Sequence, residues 1–249
     1  YGIKQKIANI VYKKFREALG GRVMACASGS AALQPRLARF FNAAGIPLVE
    51  GYGLTETSPV ITVNGFEPGM MRIGTVGKVI DKVEVKLAKD GEILAKGPNI
   101  MMGYYKREDL TNEVLNDGWF HTGDIGTIDP DGFLRITDRK KEMFKTSGGK
   151  YIAPQMMENK FKTSRFIEQI VVIGEYRKFP SALIVPAYDA VRSKLKESGV
   201  ANIPADNAEL ITMKEVRALL DQEVEELNGE FAQYEKLKKC ELLPLEFSI

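Results

Sequence analysis

Leu48-Val49-Glu50-Gly51-Tyr52-Gly53-Leu54-Thr55-Glu56-Thr57-Ser58-Pro59 is the stretch on which the reading of this chain turns. Leu48–Glu50 is a short run with the length of a strand, and it leads straight into Gly51. Gly51 and Gly53 permit sharp backbone turns and close approach of a ligand. Tyr52, Thr55, Glu56 and Thr57 then place an aromatic ring, two hydroxyls and a carboxylate within one short loop. An aromatic face stacks on a base, hydroxyls bond phosphate oxygens, and a carboxylate holds Mg²⁺ against a polyphosphate. A plain glycine-rich strand-to-loop turn with an N-capping threonine satisfies the same residues, and spacing alone leaves both readings open.

Upstream of this stretch, Arg22–Ala27 reads as a buried strand and Pro35–Ala44 as a helix closed by Gly45. Strand, helix and strand in this rhythm predict a βαβ unit with parallel strands. Before it, Ile3, Ile7, Ile10, Val11, Phe15 and Leu19 share one helical face, ended by Gly20-Gly21. Downstream, from Gly74 on, the chain is β-rich. Val83–Leu87 and Glu92–Ala95 alternate around Lys89-Asp90-Gly91, and Phe120–Asp129 and Phe133–Thr137 flank Pro130-Asp131-Gly132, two hairpin signals. Arg107–Leu115 reads as a short helix. A charged segment, Arg139-Lys140-Lys141-Glu142, marks a domain boundary at residues 138–141. Beyond it the pattern is a separate α+β unit. Its expected helices are Pro154–Lys162, Ala187–Glu197 and Met213–Leu227, and its expected strands Gln169–Ile173, Ala182–Val185 and Lys238–Leu243.

The 249 residues carry 35 Lys and Arg against 33 Asp and Glu, a net charge of +2, and 44% are hydrophobic. That is the composition of a globular protein, and the near-zero balance gives no ground for nucleic-acid binding. Cys26 and Cys240 fit neither a metal spacing nor a disulfide framework, which points to a reducing, cytoplasmic setting. One histidine, His121, with two distant cysteines argues against a zinc site. No Gly-x-Ser-x-Gly elbow and no Walker-type loop is present.

Two further segments bear chemistry. In Trp119-Phe120-His121-Thr122-Gly123-Asp124, a lone aspartate suits two vicinal ribose hydroxyls, as acidic residues do in dinucleotide folds, and equally suits a turn. In Asp138–Lys150, Arg139 offers a planar fork for ribose or phosphate oxygens and Ser147-Gly148-Gly149 turns tightly, though such charge runs are commonly solvated linkers.

In this order and spacing the three segments resemble the adenylate-forming (AMP-binding) superfamily, which includes acyl-CoA synthetases, luciferases and peptide-synthetase adenylation domains. The resemblance runs from about Gly21 to Phe247. It is nearest to the long-chain fatty-acid CoA ligases, through Gly51–Val60 and Lys145-Thr146-Ser147-Gly148-Gly149-Lys150-Tyr151-Ile152-Ala153-Pro154. It implies an α/β and α+β fold. Residues 1–138 would form the C-terminal part of a large AMP-binding domain (βαβ unit plus β-rich subdomain), and 139–249 a small mobile C-terminal domain.

The resemblance also implies roles. Tyr52 lies against adenine, with Gly53 beside it; Thr55 lies near the α-phosphate and Glu56 ligates Mg²⁺. Gly29, Ser30 and Ala31 lie in a loop passing the adenine and the acyl carboxylate. Asp124 binds the ribose, beside Arg139. Lys141 is the hinge, Lys145 assists thioester formation, and Gly148 lines the CoA tunnel. ATP, Mg²⁺, CoA and a fatty acid are the implied small molecules, activated through an acyl-adenylate. Peripheral membrane contact and a homodimer are compatible with it. An aryl-CoA ligase, a peptide-synthetase adenylation domain or a non-catalytic nucleotide-binding module are the alternative readings. The family's serine/threonine/glycine-rich phosphate loop and its catalytic lysine of the first half-reaction have no counterpart in the 249 residues. The expectation is therefore a chain cut at both ends, at Tyr1 and Ile249, and inactive in adenylation alone.

Overall fold

The computed structural model describes residues 2–247, with side chains from residue 8 onward. Contacts divide it into two compact units, Tyr1–Thr137 and Asp138–Ile249.

The first unit opens with helix α1 (Gly2–Ala18), β1 (Cys26–Ser28), α2 (Pro35–Ala43) and β2 (Leu48–Tyr52). Gly20 and Gly21 stop α1 with left-handed φ of 83° and 69°, donating to Glu17 and Arg16 carbonyls. Pro35 stands in the first turn of α2, where its missing N–H costs no bond. β1 and β2 pair in parallel, Cys26 with Leu48 and Ser28 with Glu50, as the strand–helix–strand rhythm predicts. The first strand is shorter than expected and shifted: Arg22–Ala27 was expected to be buried, yet Val23 and Met24 precede the ladder and are exposed. Among the described residues β1 lies at the edge of its sheet and pairs with β2 alone. On α1 the expected apolar face is largely open, since Ile10, Val11, Phe15 and Leu19 are all exposed. Phe15 still meets the Phe40 ring edge-on at 4.9 Å. The side chains of Ile3 and Ile7 lie outside the described residues.

Two short strands missed in the sequence, β3 (Thr62–Val63) and β4 (Lys78–Val79), extend this sheet in antiparallel fashion to the order β1-β2-β3-β4. The second sheet holds β5 (Glu84–Leu87), β6 (Glu92–Lys96), β7 (Leu115–Asn116), β8 (Trp119–Ile128) and β9 (Leu134–Arg139), with α3 (Glu108–Val114) leading into β7. Its order is β5-β6-β8-β7, with β9 also on β8. Both expected hairpins form, β5–β6 and β8–β9. Tyr52, Ile61, Ile93, Ala95 and Leu134 form the buried core cluster of this unit.

The second unit contains β10 (Phe144–Lys145), β11 (Tyr151–Ile152), α4 (Pro154–Phe161), β12 (Ile167–Ile173), β13 (Ser181–Pro186), α5 (Tyr188–Glu197), α6 (Asn207–Leu210), α7 (Lys214–Asn228) and β14 (Lys239–Leu242). β12 and β13 are antiparallel and β14 joins β13 in parallel. Helical periodicity explains the core. Val216, Leu220 and Val224 of α7 recur every fourth residue, as do Val191 and Leu195 of α5, and all are buried. Each such side chain contributes about 1.5–3 kcal/mol of burial. Met157 and Phe161 of α4 complete the same core.

Candidate active site

The Gly51–Pro59 stretch leaves β2 and closes a single 3-10 turn, Thr55–Thr57, after an extended Leu54. The threonine that fastens it is Thr57, from within the turn rather than from the N-cap position, which Leu54 occupies. Its buried hydroxyl accepts from Leu54 N–H at 2.9 Å and reaches the carbonyls of Leu54 (3.0 Å) and Pro59 (2.8 Å). Ser58 then takes a left-handed φ of 50° to reverse the chain. Gly53 is demanded by crowding: a Cβ there would stand 1.6 Å from the Pro59 carbonyl oxygen. The turn therefore presents Thr55 exposed and Glu56 half-buried.

A second segment braces it. Asn99 Nδ2 donates to the carbonyls of Thr57 (3.0 Å) and Val60 (2.8 Å), and Met101 N–H to that of Glu56 (2.8 Å). Tyr104 Oη donates to Glu56 Oε1 at 2.9 Å. Burial, and then the neighbouring Glu56 carboxylate, hold the Tyr104 phenol above its ordinary range, so it stays a protonated donor.

Asp124 reaches the same unit from β8. Between Glu92 and Leu94 of β6 the register on β8 runs from Ile125 back to His121, so β8 carries a bulge of two extra residues. Gly123 allows it with φ 74°. The bulge is pinned by Thr122, whose hydroxyl donates to Ile93 O (2.8 Å) and accepts Asp124 N–H (3.1 Å), and by Glu92 Oε1, which accepts Gly123 N–H (3.1 Å). His121 Nδ1 lies 3.2 Å from Glu92 Oε2. The outcome is a buried hydrogen bond from Tyr52 Oη to Asp124 Oδ2 at 2.6 Å, joining residues 72 positions apart.

The Gly29-Ser30-Ala31 loop follows β1, with Ser30 in a left-handed φ of 66°. Glu50, the residue before Gly51, ties this loop down: its Oε1 accepts Leu33 N–H at 3.1 Å. Burial pushes the Glu50 carboxyl up, opposed by the amides of Leu33 and Gly74. Tyr52, Gly53, Thr55, Glu56, Asp124 and the Gly29–Ala31 loop thus share the first unit.

Arg139, Lys141, Lys145 and Gly148 belong to the second unit, all exposed. Asp138, fully buried, accepts Arg139 N–H (2.6 Å) and Gln155 N–H at the start of α4 (3.2 Å). Its burial pushes the carboxyl up to about 6 despite those bonds. Lys145 Nζ lies 5.5 Å from the Tyr151 ring centroid. Gly148 sits in the loop that Thr146 closes by accepting Lys150 N–H at 3.3 Å.

Mg²⁺ is ordinarily held by one or two carboxylates together with substrate phosphates and water. Among the described residues no group of three or more His, Cys, Asp or Glu is placed to hold a metal. A single half-buried Glu56 carboxylate beside the exposed Thr55 hydroxyl fits a cation that arrives on a polyphosphate. Tyr104, Asn99, Glu50 and the bulge on β8 were not singled out from the sequence. Tyr104 is 48 residues from its partner, and no spacing rule links the two.

Residues 4–105 match the AMP-binding enzyme family, and residues 142–248 its AMP-binding enzyme C-terminal domain. The chain is 38% identical over 242 residues to Long-chain-fatty-acid--CoA ligase FadD15 of Mycobacterium tuberculosis, covering 96% of this chain and 39% of that protein. It is 36% identical to Long chain acyl-CoA synthetase 1 of Arabidopsis thaliana, covering 94% and 36%. It superposes with a TM-score of 0.67 at 26% identity on O-succinylbenzoate Coenzyme A Synthetase (MenE) from Bacillus subtilis in complex with ATP and magnesium ion, covering 88% and 42% of the two chains. With the A-PCP didomain of a carboxylic acid reductase from Segniliparus rugosus, in complex with AMP, the TM-score is 0.70 at 25% identity, covering 96% and 33%. The chain belongs to the AMP-binding, adenylate-forming enzyme family. It spans about two fifths of the length of the curated long-chain ligases it matches.

Proposed function

We propose that these residues form the ribose, base and metal-facing part, and the small mobile domain, of a long-chain fatty-acid–CoA ligase. A fatty carboxylate attacks the α-phosphorus of Mg·ATP, giving acyl-adenylate and pyrophosphate; the CoA thiol then displaces AMP. The observation that carries this reading is the buried Tyr52–Asp124 hydrogen bond of 2.6 Å, which joins the two nucleoside positions implied by the family. The long-chain ligases among the relatives support the acyl class.

Attack of an anion on a polyanion needs charge neutralisation and alignment. Mg²⁺ arriving with ATP would supply part of the first, and Glu56 is the carboxylate that would hold it. Thr55 offers its hydroxyl to the α-phosphate, Tyr52 and Gly53 take the base, and Asp124 takes the ribose with Arg139. Gly29, Ser30 and Ala31 line the passage of the adenine and acyl group. Rotation about Lys141 exchanges Lys145 and Gly148 into the second step. A cytoplasmic enzyme with peripheral membrane contact suits a lipid substrate, and a homodimer completes the reading.

Acid-dependent pyrophosphate release by the complete polypeptide carrying these residues tests it. Long-chain fatty acids should drive release; release driven instead by aryl or amino acids overturns the acyl assignment. The 249-residue stretch alone should release none above a Glu56→Ala control, because two cationic groups of the family, each worth ~3 kcal/mol of barrier lowering, have no counterpart in it.

A further inference from the structure

We propose that Tyr104 is a positioning residue for the divalent cation: its hydroxyl holds one oxygen of Glu56 and leaves the other for the metal. The inference rests on the adenylate-forming reading of Glu56 and adds to it a residue outside the Gly51–Pro59 stretch.

Three observations carry it. The first is the contact itself. Tyr104 Oη donates to Glu56 Oε1 at 2.9 Å, and no hydrogen bond to Oε2 is formed among the described residues. A carboxylate held at one oxygen has one torsion fixed, so the second oxygen is aimed without further ordering on metal binding. Partners of this kind, which orient a ligating side chain from behind, commonly set metal affinity by 10–100-fold.

The second is that the main chain carrying the phenol is itself held against α3. Tyr104 N–H donates to Thr111 Oγ1 of α3 at 2.9 Å. Gly103, just before it, packs so closely on Thr111 that a Cβ would stand 2.8 Å from Thr111 Cγ2, and it adopts φ +147°. Tyr104 is therefore set by a helix, not by a loose loop. The third is that the same segment grips the turn main chain through Asn99 and Met101, so the backbones that carry phenol and carboxylate are tied to each other. Asn99 Oδ1 is buried without a hydrogen-bond partner among the described residues. That cost is accepted where its amide spans two carbonyls of the turn.

The test uses the complete polypeptide with Tyr104→Phe, and Mn²⁺ as the probe. Binding of Mn²⁺ to the enzyme with a non-hydrolysable ATP analogue is read by electron paramagnetic resonance, and Mg²⁺ dependence of pyrophosphate release is measured beside it. Tyr104→Phe should raise the Mn²⁺ concentration for half-binding about tenfold. It should slow the reaction at low Mg²⁺, recover near wild-type kcat at high Mg²⁺, and leave the KM for fatty acid unchanged. A merely structural role would not be relieved by metal.

Unchanged Mn²⁺ affinity in a folded Tyr104→Phe enzyme overturns the inference, and so does a rate loss that Mg²⁺ does not restore. Tyr104→Leu, which likewise has neither donor nor metal ligand, is the second variant should the first not fold. Glu56→Gln separates the two levels. If it weakens Mn²⁺ binding and Tyr104→Phe does not, only this inference fails. If neither weakens it, the reading of Glu56 as metal ligand fails with it.

Discussion

Gly53→Ala is the sharpest test of the turn. The added Cβ would lie 1.6 Å from Pro59 O, 2.6 Å from Pro59 C and 2.9 Å from Val60 Cα. Carbon–oxygen contacts settle at about 3.3 Å or more, so the Pro59 carbonyl must retreat by roughly 1.7 Å. All three clashing atoms are main chain, and no rotamer change relieves them. That carbonyl is also the 2.8 Å acceptor of the Thr57 hydroxyl, and its neighbour Val60 O is the 2.8 Å acceptor of Asn99. Losing one such hydrogen bond costs about 1 kcal/mol, and overpacking a close-fitted site about 1–3 kcal/mol. The sum is about 2–4 kcal/mol, which lowers the melting temperature of a unit this size by roughly 10 °C. Calorimetric melting of the 249-residue chain with and without the substitution reads it directly. In the complete polypeptide the KM for ATP should rise as well, because Thr55 and Glu56 follow the displaced backbone. A Gly53→Ala chain that melts within about 2 °C of the parent, with unchanged ATP dependence, refutes the account of why glycine stands there.

The same substitution at Gly148 should behave in the opposite way, because the nearest atom to a Cβ there is Thr146 Oγ1 at 3.9 Å. Melting stays within about 2 °C while thioester formation slows, and a large loss of stability contradicts that. Asp124→Asn removes the charge from the pair with Tyr52 and should raise the KM for ATP at least ~10-fold with little effect on the KM for the acid; equal effects on both would remove it from the ribose. Asp138 gives a pH signature. Its folded value of about 6 lies above the ordinary carboxyl, so between about pH 4 and 6 the native chain keeps a proton that the unfolded chain has lost. Stability from this group is complete below about pH 4 and declines as pH rises through about 6. Asp138→Asn should flatten that slope in melts taken from pH 4 to 7, and an unchanged slope assigns it to other groups.

How far the fold was legible follows from what each element depends on. The three longer helices of the second unit, α4, α5 and α7, were read nearly to the residue because burial recurs at a helical period, as in Val216, Leu220 and Val224, whereas the one-turn α6 was missed. The hairpins were read from Asp-Gly turns. The two-residue strands Thr62–Val63 and Lys78–Val79 carry no periodicity of their own and exist through pairing with β2 and each other. The bulge around Asp124 was invisible for a related reason: Gly123 signals a turn, but only the opposite strand shows that two residues are extra. Tyr52, Glu56 and Asp124 were found as members of ordered motifs. Tyr104 and Asn99 were not, since a contact across 40 or more residues is a property of the fold.

The brace on the Gly51–Pro59 turn also bears on which changes the site can absorb over evolutionary time. Asn99 and Met101 grip carbonyls, which every amino acid provides, so the grip is indifferent to the side chains it carries past. Thr55 and Ser58 are exposed, so the side chains the turn shows to solvent are not the groups by which Asn99 and Met101 hold its path. Only the Tyr104–Glu56 contact reads a side chain. Variation is thereby steered toward recognition and away from the carboxylate that meets the metal, which gives a scaffold of this kind room to diversify its substrates one surface residue at a time.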